Sequence, residues 1–414
     1  MTIINTPLQG THFKPSKDMS TLVNGVLKKD SAFHPNLGGI TKGGMSNHYP
    51  MTILSLQGLG ASDEEIQHFT DMWPRHRAHL TQQLNLKDNQ VLNEKNWHEY
   101  LGQANFLLEF RRVFLTQLQN HESPNKYVAN ILYQIRNALP MGLFHPLIRI
   151  SFAMIHGDKG LIADGLAYMA IRFTDLYGGA DFSVIANEKL KKEKINKDIG
   201  ESATQNNAMN TWKNVHEYIE TQGQNIHFSQ TIQGGSLHIC EQLCSEPAIQ
   251  TLAFENGLNI NPENLLQSVA EISMCALRLY LHQPALTTLH AVTACQALAD
   301  ITKRCLEEHT DSKQLIALWQ CYWMWLSGLY IEKGYPKDLP KIDTKLETEI
   351  ASQEWKNLAI AARGIPEVHL IKMVYSCKWL FENIEQSVYY KLAVVKILKE
   401  RNAHPRSPYG LTRS

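Results

Sequence analysis

Apolar residues recur at i, i+3 and i+4 along most of this chain, whereas runs of Val, Ile and Thr alternating with polar residues are scarce. The first pattern marks amphipathic helices and the second half-buried strands. The sequence therefore predicts an all-α protein, a large multi-helix, bundle-like domain. Ser62 with Glu65 three residues on reads as a capping box opening a helix that stops near Trp73-Pro74. A long amphipathic helix is expected over residues 97–119, and Pro124 opens the next, which ends near Pro140. Pro146 suits the first turn of a helix that Gly157 ends, and a further helix runs from Asp158 to Tyr177. Pro262 starts a strongly apolar helix through Leu281, and residues 285–308, 312–333, 345–363, 366–382 and 384–402 complete the set.

Two stretches break the pattern. Residues 31–47 are glycine-rich, so residues 1–46 are expected to form an irregular N-terminal segment. Residues 180–232 are polar, with the charged run Glu188-Lys189-Leu190-Lys191-Lys192-Glu193-Lys194. Such a run is a solvated linker or surface helix, or else a lid over a site. The expected organisation is an all-α domain over 47–404, with 180–232 as insert or lid and 405–414 as a tail.

Charge and cysteine usage narrow the function. The 414 residues carry 40 basic and 40 acidic side chains, with no basic arm, which argues against nucleic acid as a partner. Gln314–Ile331 has no charge and is about long enough for a short span, but Gln314, Gln320, Ser327 and Gly328 suit a buried core helix, so no membrane segment is expected. Seven cysteines without CxxC pairs, behind an N-terminus that lacks a basic region followed by an apolar run, suit buried thiols in a reducing, cytoplasmic setting. No GxGxxG follows a strand, and Gly58-Leu59-Gly60 follows a helix-like run, so no tightly bound flavin is expected. GxxxxGK[ST], GxSxG and HExxH do not occur.

The candidate chemistry lies in four histidines. His48, His145, His290 and His369 sit in separate apolar, helix-like segments, and Lys372 follows His369 by one helical turn. Imidazole suits iron, copper, nickel and zinc, and helix bundles build metal sites from inward side chains on facing helices. His48 and His145 stand at helix starts, where the dipole disfavours imidazolium and leaves the neutral, metal-binding form. A lysine desolvated beside them has a depressed pKa, and a neutral amine reacts with carbon dioxide to give a carbamate, an anionic ligand that four imidazoles do not supply. The plainer alternatives are histidines satisfied within the core or at caps, and a lysine paired with a carboxylate or reaching to solvent. Tyr49, Phe144, Trp323 and Trp325 are candidate walls of a substrate pocket as well as core residues. Asp164, Asp175, Glu271 and Asp300 read as structural ion pairs or partners behind a metal.

Four blocks of the chain resemble the questin oxidase-like family. They are Asn47-His48-Tyr49-Pro50 with the run to Leu59-Gly60-Ala61; Phe144-His145-Pro146-Leu147-Ile148-Arg149 with Asp164-Gly165-Leu166-Ala167; Leu289-His290-Ala291-Val292; and His369-Leu370-Ile371-Lys372-Met373-Val374. Met51 and Ala294-Cys295-Gln296 depart from the pattern, where the family often has a further histidine. The resemblance implies oxygen-dependent oxidation of aromatic polyketides, notably anthraquinones, by a monooxygenase or dioxygenase, with Baeyer–Villiger-type or ring-cleaving outcome. It also implies non-haem Fe(II) held by histidines and a carboxylated lysine, with NADPH as a dissociable reductant. Carried over, the ligands fall on His48, His145, His290, His369 and Lys372. The expected partners are an aromatic small molecule and dioxygen. Two other readings remain open: a metal-free acid–base oxygenase, and a helical protein-interaction module without catalysis.

Overall fold

The computed structural model describes residues 20–39, 45–73, 77–80, 92–177, 208–222, 237, 258, 260–336 and 338–408. Among these residues the fold is all-α, with fifteen α-helices, no strand and two isolated bridges, Phe33 with His79 and Asn36 with Ser46. The N-terminal helices are α1 (Thr21–Asp30), α2 (Tyr49–Gly58), α3 (Asp63–Met72), α4 (Leu107–Asn120), α5 (Pro124–Gln134), α6 (His145–His156) and α7 (Lys159–Ile171). There follow α8 (Ala208–Gln222), α9 (Leu265–His282), α10 (Leu286–Glu307), α11 (Ser312–Glu332), α12 (Thr344–Ala351), α13 (Trp355–Arg363), α14 (Val368–Asn383) and α15 (Val388–Ala403).

Local chemistry sets these boundaries. Ser62 and Glu65 form the capping box of α3, and Gly157 ends α6 in the left-handed conformation at φ 80°. Core helix α11 is buried along most of its length, and no helix of the described residues is long and apolar enough to cross a membrane. Helices α6 and α7 approach closely at Gly165, where an added Cβ would stand 2.6 Å from Ile150 Cγ1 and 3.1 Å from Ile150 N.

Several expectations are corrected. The helix expected over 97–119 is shorter: residues 97–106 hold two 3-10 turns, Trp97–Tyr100 and Ala104–Phe106, and α4 starts only at Leu107. Between the turns Gly102 takes φ 79°, and its N–H leaves the local helix to donate to Ala170 O at 2.9 Å. The helix expected over 345–363 is two, α12 and α13. The N-terminal segment is not irregular throughout, because Ser20 caps α1 at Val23 N and its apolar face buries Val23, Val26 and Leu27. The polar insert contains α8, whose Trp212 is fully buried and stacks on Trp323 and Tyr330, so residues 208–222 are not a solvated linker. Its charged run lies outside the described residues, as do residues 1–19, 40–44 and 409–414. The start of the expected tail packs back, with Val368 N donating to Pro408 O at 3.2 Å.

Candidate metal centre

Four helix starts converge on one place. His48 is the N-cap residue of α2, His145 opens α6, His369 is the second residue of α14, and His290 lies one turn further into α10. These helices pack as a closed circuit: α2 on α6, α6 on α10, α10 on α14, and α14 back on α2. The imidazoles follow the same order. Ring centroids stand 4.5 Å apart for His48–His145, 4.6 Å for His145–His290, 5.3 Å for His290–His369 and 4.8 Å for His369–His48. All four are buried, His290 completely.

Hydrogen bonds orient three of the rings. His145 Nδ1 lies 2.6 Å from Gly142 O, His290 Nδ1 2.8 Å from Leu286 O, and His369 Nδ1 3.0 Å from Glu367 Oε1. Each acceptor calls for the proton on Nδ1 and so leaves the Nε2 lone pair available to a metal. Nε2 of His145 and His290 stand 3.2 Å apart. Ligand atoms of His48, His145 and His369 lie within 4.8 Å of one another, a buried group that could hold a metal ion. His290 adjoins this group through His145.

The loop before α6 explains how His145 reaches the centre. Gly142, Leu143 and Phe144 take φ of 62°, 52° and 61° in succession. Two of these are large L-residues in the left-handed region, which costs on the order of 1–3 kcal/mol each and persists only where packing enforces it. Phe144 is fully buried, its ring 4.6 Å from Trp325 in an edge-on contact, and this wedge sets the turn that returns His145 toward Gly142 O. At α2, Asn47 accepts from Tyr49 N at 3.1 Å, and its amide donates to both oxygens of buried Asp30 at 3.1 and 3.2 Å. The turn carrying His48 is thereby tied to the end of α1.

Burial lowers the pKa of all four histidines. His48, His145 and His290 lie well below the ordinary value, with neighbouring positive charges adding to the effect at each. For His369 burial outweighs the opposing hydrogen bond to Glu367. Lys372 is 1 % exposed, and burial lowers its amine to about 7. Its Nζ lies 2.8 Å from His48 Nδ1, and among the described residues it has no ion-pair partner. An unpaired amine held among imidazoles is neutral near pH 7 for much of the time.

Glu367, which the sequence reading missed, supports the His369 ring. It is fully buried at the N-cap of α14, where its oxygens accept from His369 N at 2.8 Å and Leu370 N at 2.9 Å as well as from the His369 ring. Arg401 of α15 donates to it at 3.1 Å. Burial opposes the carboxylate, but the His369 hydrogen bonds and the Arg401 charge outweigh it and hold the pKa near about 2. The available signal was an acid directly before an apolar helix, two residues ahead of a histidine.

The four candidate wall residues make core contacts. Tyr49 bonds Thr70 through its hydroxyl and packs on Phe69 and Trp73, Trp323 stacks on Trp212, and Trp325 packs on Phe144. Asp164 pairs with Arg111 at 2.6 Å and Asp300 with Arg304 at 2.9 Å as structural ion pairs, and the Ser151 hydroxyl donates to Asp300 at 3.2 Å. Asp175 accepts from Asn137, and Glu271 from Ala208 N.

The fold and the site define an all-helical protein with a buried histidine centre suited to a metal ion. The sequence model of the questin oxidase-like family matches residues 45–377, and the chain belongs to that family. The family name indicates an oxidase-like enzyme acting on aromatic compounds. No curated protein matches the chain.

Proposed function

We propose that this protein is an oxygen-dependent oxidoreductase acting on an aromatic or quinone-like small molecule at a non-haem Fe(II) held by His48, His145, His290, His369 and a carboxylated Lys372. The observation that carries this reading is the circuit of four buried imidazoles, three of them hydrogen-bonded through Nδ1 so that Nε2 is the free nitrogen, beside a buried Lys372 that bonds His48 and has no ion-pair partner among the described residues. Imidazole-dominated donor sets suit iron.

The helix ends supply a reason for the lysine. Four helix starts direct partial positive charge toward the centre, which opposes a cation unless an anion accompanies it. Among the described residues, the nearby carboxylate, Glu367, is already engaged with His369 and Arg401. Lys372 as a neutral amine adds carbon dioxide by forming an N–C bond and losing one proton, and becomes a carboxylate in place. The histidines hold and orient, and the apolar packing around them excludes water. Iron, when bound, supplies redox chemistry with dioxygen that imidazole and amine groups lack. NADPH would serve as a dissociable reductant. The described cysteines, all buried thiols, support a cytoplasmic setting.

Elemental analysis of anaerobically purified protein tests the reading, with about one iron per chain expected from a single donor cluster. Metal-free protein that also fails to take up Fe(II) would falsify it. A second reading draws on the direct Lys372–His48 hydrogen bond. In it the pair removes a proton from a phenolic substrate, and the resulting anion reacts with dioxygen without metal. Turnover undiminished after complete metal removal would favour that reading.

A further inference from the structure

A cavity of about 40 Å³ has His369 in its lining. Its apolar wall is formed by Tyr280, Leu286 and Leu289, at the end of α9 and the first turn of α10. The same turn presents Leu286 O to His290 Nδ1, so the cavity adjoins the supports of two of the four histidines. Arg401 and Arg406 line it with Glu400. Near the surface stand Leu286, 51 % exposed, and the Arg406 side chain, 30 % exposed. An exposed leucine at the rim of a partly polar cavity that ends on a buried histidine is not needed for packing.

We propose that this cavity is the entrance by which an aromatic molecule bearing hydroxyl or carbonyl oxygens reaches the histidine centre, and that Arg406 recognises those oxygens. The substrate class rests on the oxidation proposed above, whereas the path rests on the cavity alone. A flat ring suits the apolar wall, and a guanidinium both stacks on such rings and donates to their oxygens through a planar fork. Arg401 is committed to Glu367 and Glu400, while Arg406 donates one terminal nitrogen to Glu400 at 3.0 Å. Among the described residues the other N–H groups of the Arg406 fork have no partner, and these would face a ligand.

The cavity volume adds a condition. A water needs ~10–15 Å³ of such space, so the cavity in this conformation holds a few waters and not a ring. In this proposal residues 404–408, which carry Arg406, swing outward to admit a ring. Contacts that oppose this include Arg406 to Glu400 and Val368 N to Pro408 O at 3.2 Å.

Histidine labelling by diethyl pyrocarbonate in metal-free protein, read residue by residue by mass spectrometry, tests the proposal without turnover. Leu286→Trp should slow labelling of His369 at least tenfold relative to exposed His68. Arg406→Ala should speed it several-fold, and Leu266→Trp, at another exposed leucine, should leave it unchanged. In the wild type 1-naphthol should protect His369 better than 1-methylnaphthalene, and Arg406→Ala should erase that difference. Unchanged labelling in Leu286→Trp overturns the entrance, and equal protection by the two probes overturns the recognition by Arg406. Absence of iron from the protein would sink the metal reading and leave the labelling result standing.

Discussion

Lys372 and His48 are 324 positions apart in the chain, yet Lys372 Nζ lies 2.8 Å from His48 Nδ1. The contact joins α14 to the start of α2 and places the buried amine beside the imidazole circuit. If the amine is a carbamate in the working protein, Lys372→Ala should cut iron retention by roughly tenfold or more, as expected for loss of a ligand or its direct support. Acetate or formate should restore part of it. Lys372→Arg should not substitute, because a guanidinium stays charged and forms no carbamate. Full iron content in Lys372→Ala refutes the ligand role.

The remaining ligands should behave as a set. His145→Ala and His290→Ala are expected to abolish metal uptake while far-ultraviolet circular dichroism stays helical. His68→Ala and His121→Ala are the controls, since both residues are exposed. Equal metal loss in the controls would show that uptake is nonspecific.

Glu367 should make stability depend on pH with a defined sign. Its folded pKa, near about 2, lies below its ordinary 4.5. The stabilisation is therefore fully present above pH 4.5 and is lost as pH falls through the folded value. The lowering corresponds to about 3 kcal/mol. Denaturant melts of wild type and Glu367→Gln should differ by an amount of that order at pH 7, and the gap should shrink below pH 4.5 and close only as pH falls to about 2. A gap that does not change with pH would remove the charged carboxylate from the account.

Gly165→Ala should destabilise the fold by about 1–3 kcal/mol, the usual cost of overpacking. The new Cβ would meet Ile150 of α6 at 2.6 Å, and both backbone and side chain stand in its way. A melting temperature equal to wild type would mean that α6 and α7 separate more easily than their packing implies.

Much of this architecture was legible in the sequence. Helical periodicity locates most elements, the Ser62–Glu65 box and Gly157 mark helix ends, and the four histidines stand out by their apolar, helix-like surroundings. Local chemistry announces such features within a few residues. The circuit order of the rings was not legible, because it depends on which helices pack, and α2 and α14 are more than 300 positions apart. Glu367 was hidden for another reason. Its spacing to His369 fits no metal-binding motif, and its role arises from the backbone turn that lets one carboxylate reach two amides and a ring. Trp212 was obscured by its polar surroundings, although its buried ring stacks on Trp323 and Tyr330. Tyr49, Trp323 and Trp325 carried the opposite ambiguity, since aromatic residues pack cores and pockets alike.

Because two of the ring-bearing helices precede residue 180 and two follow residue 260, an ion at their centre would act as a rivet between the two halves of the polypeptide. Its binding energy would not oppose the fraying of any single distant helix, such as α12. It would count in full only against openings that part α2 or α6 from α10 or α14. Loading the centre should therefore slow hydrogen exchange in those four helices together and leave the periphery unchanged, so that the chain acquires a cooperative unit whose edges are drawn by its ligands rather than by sequence order.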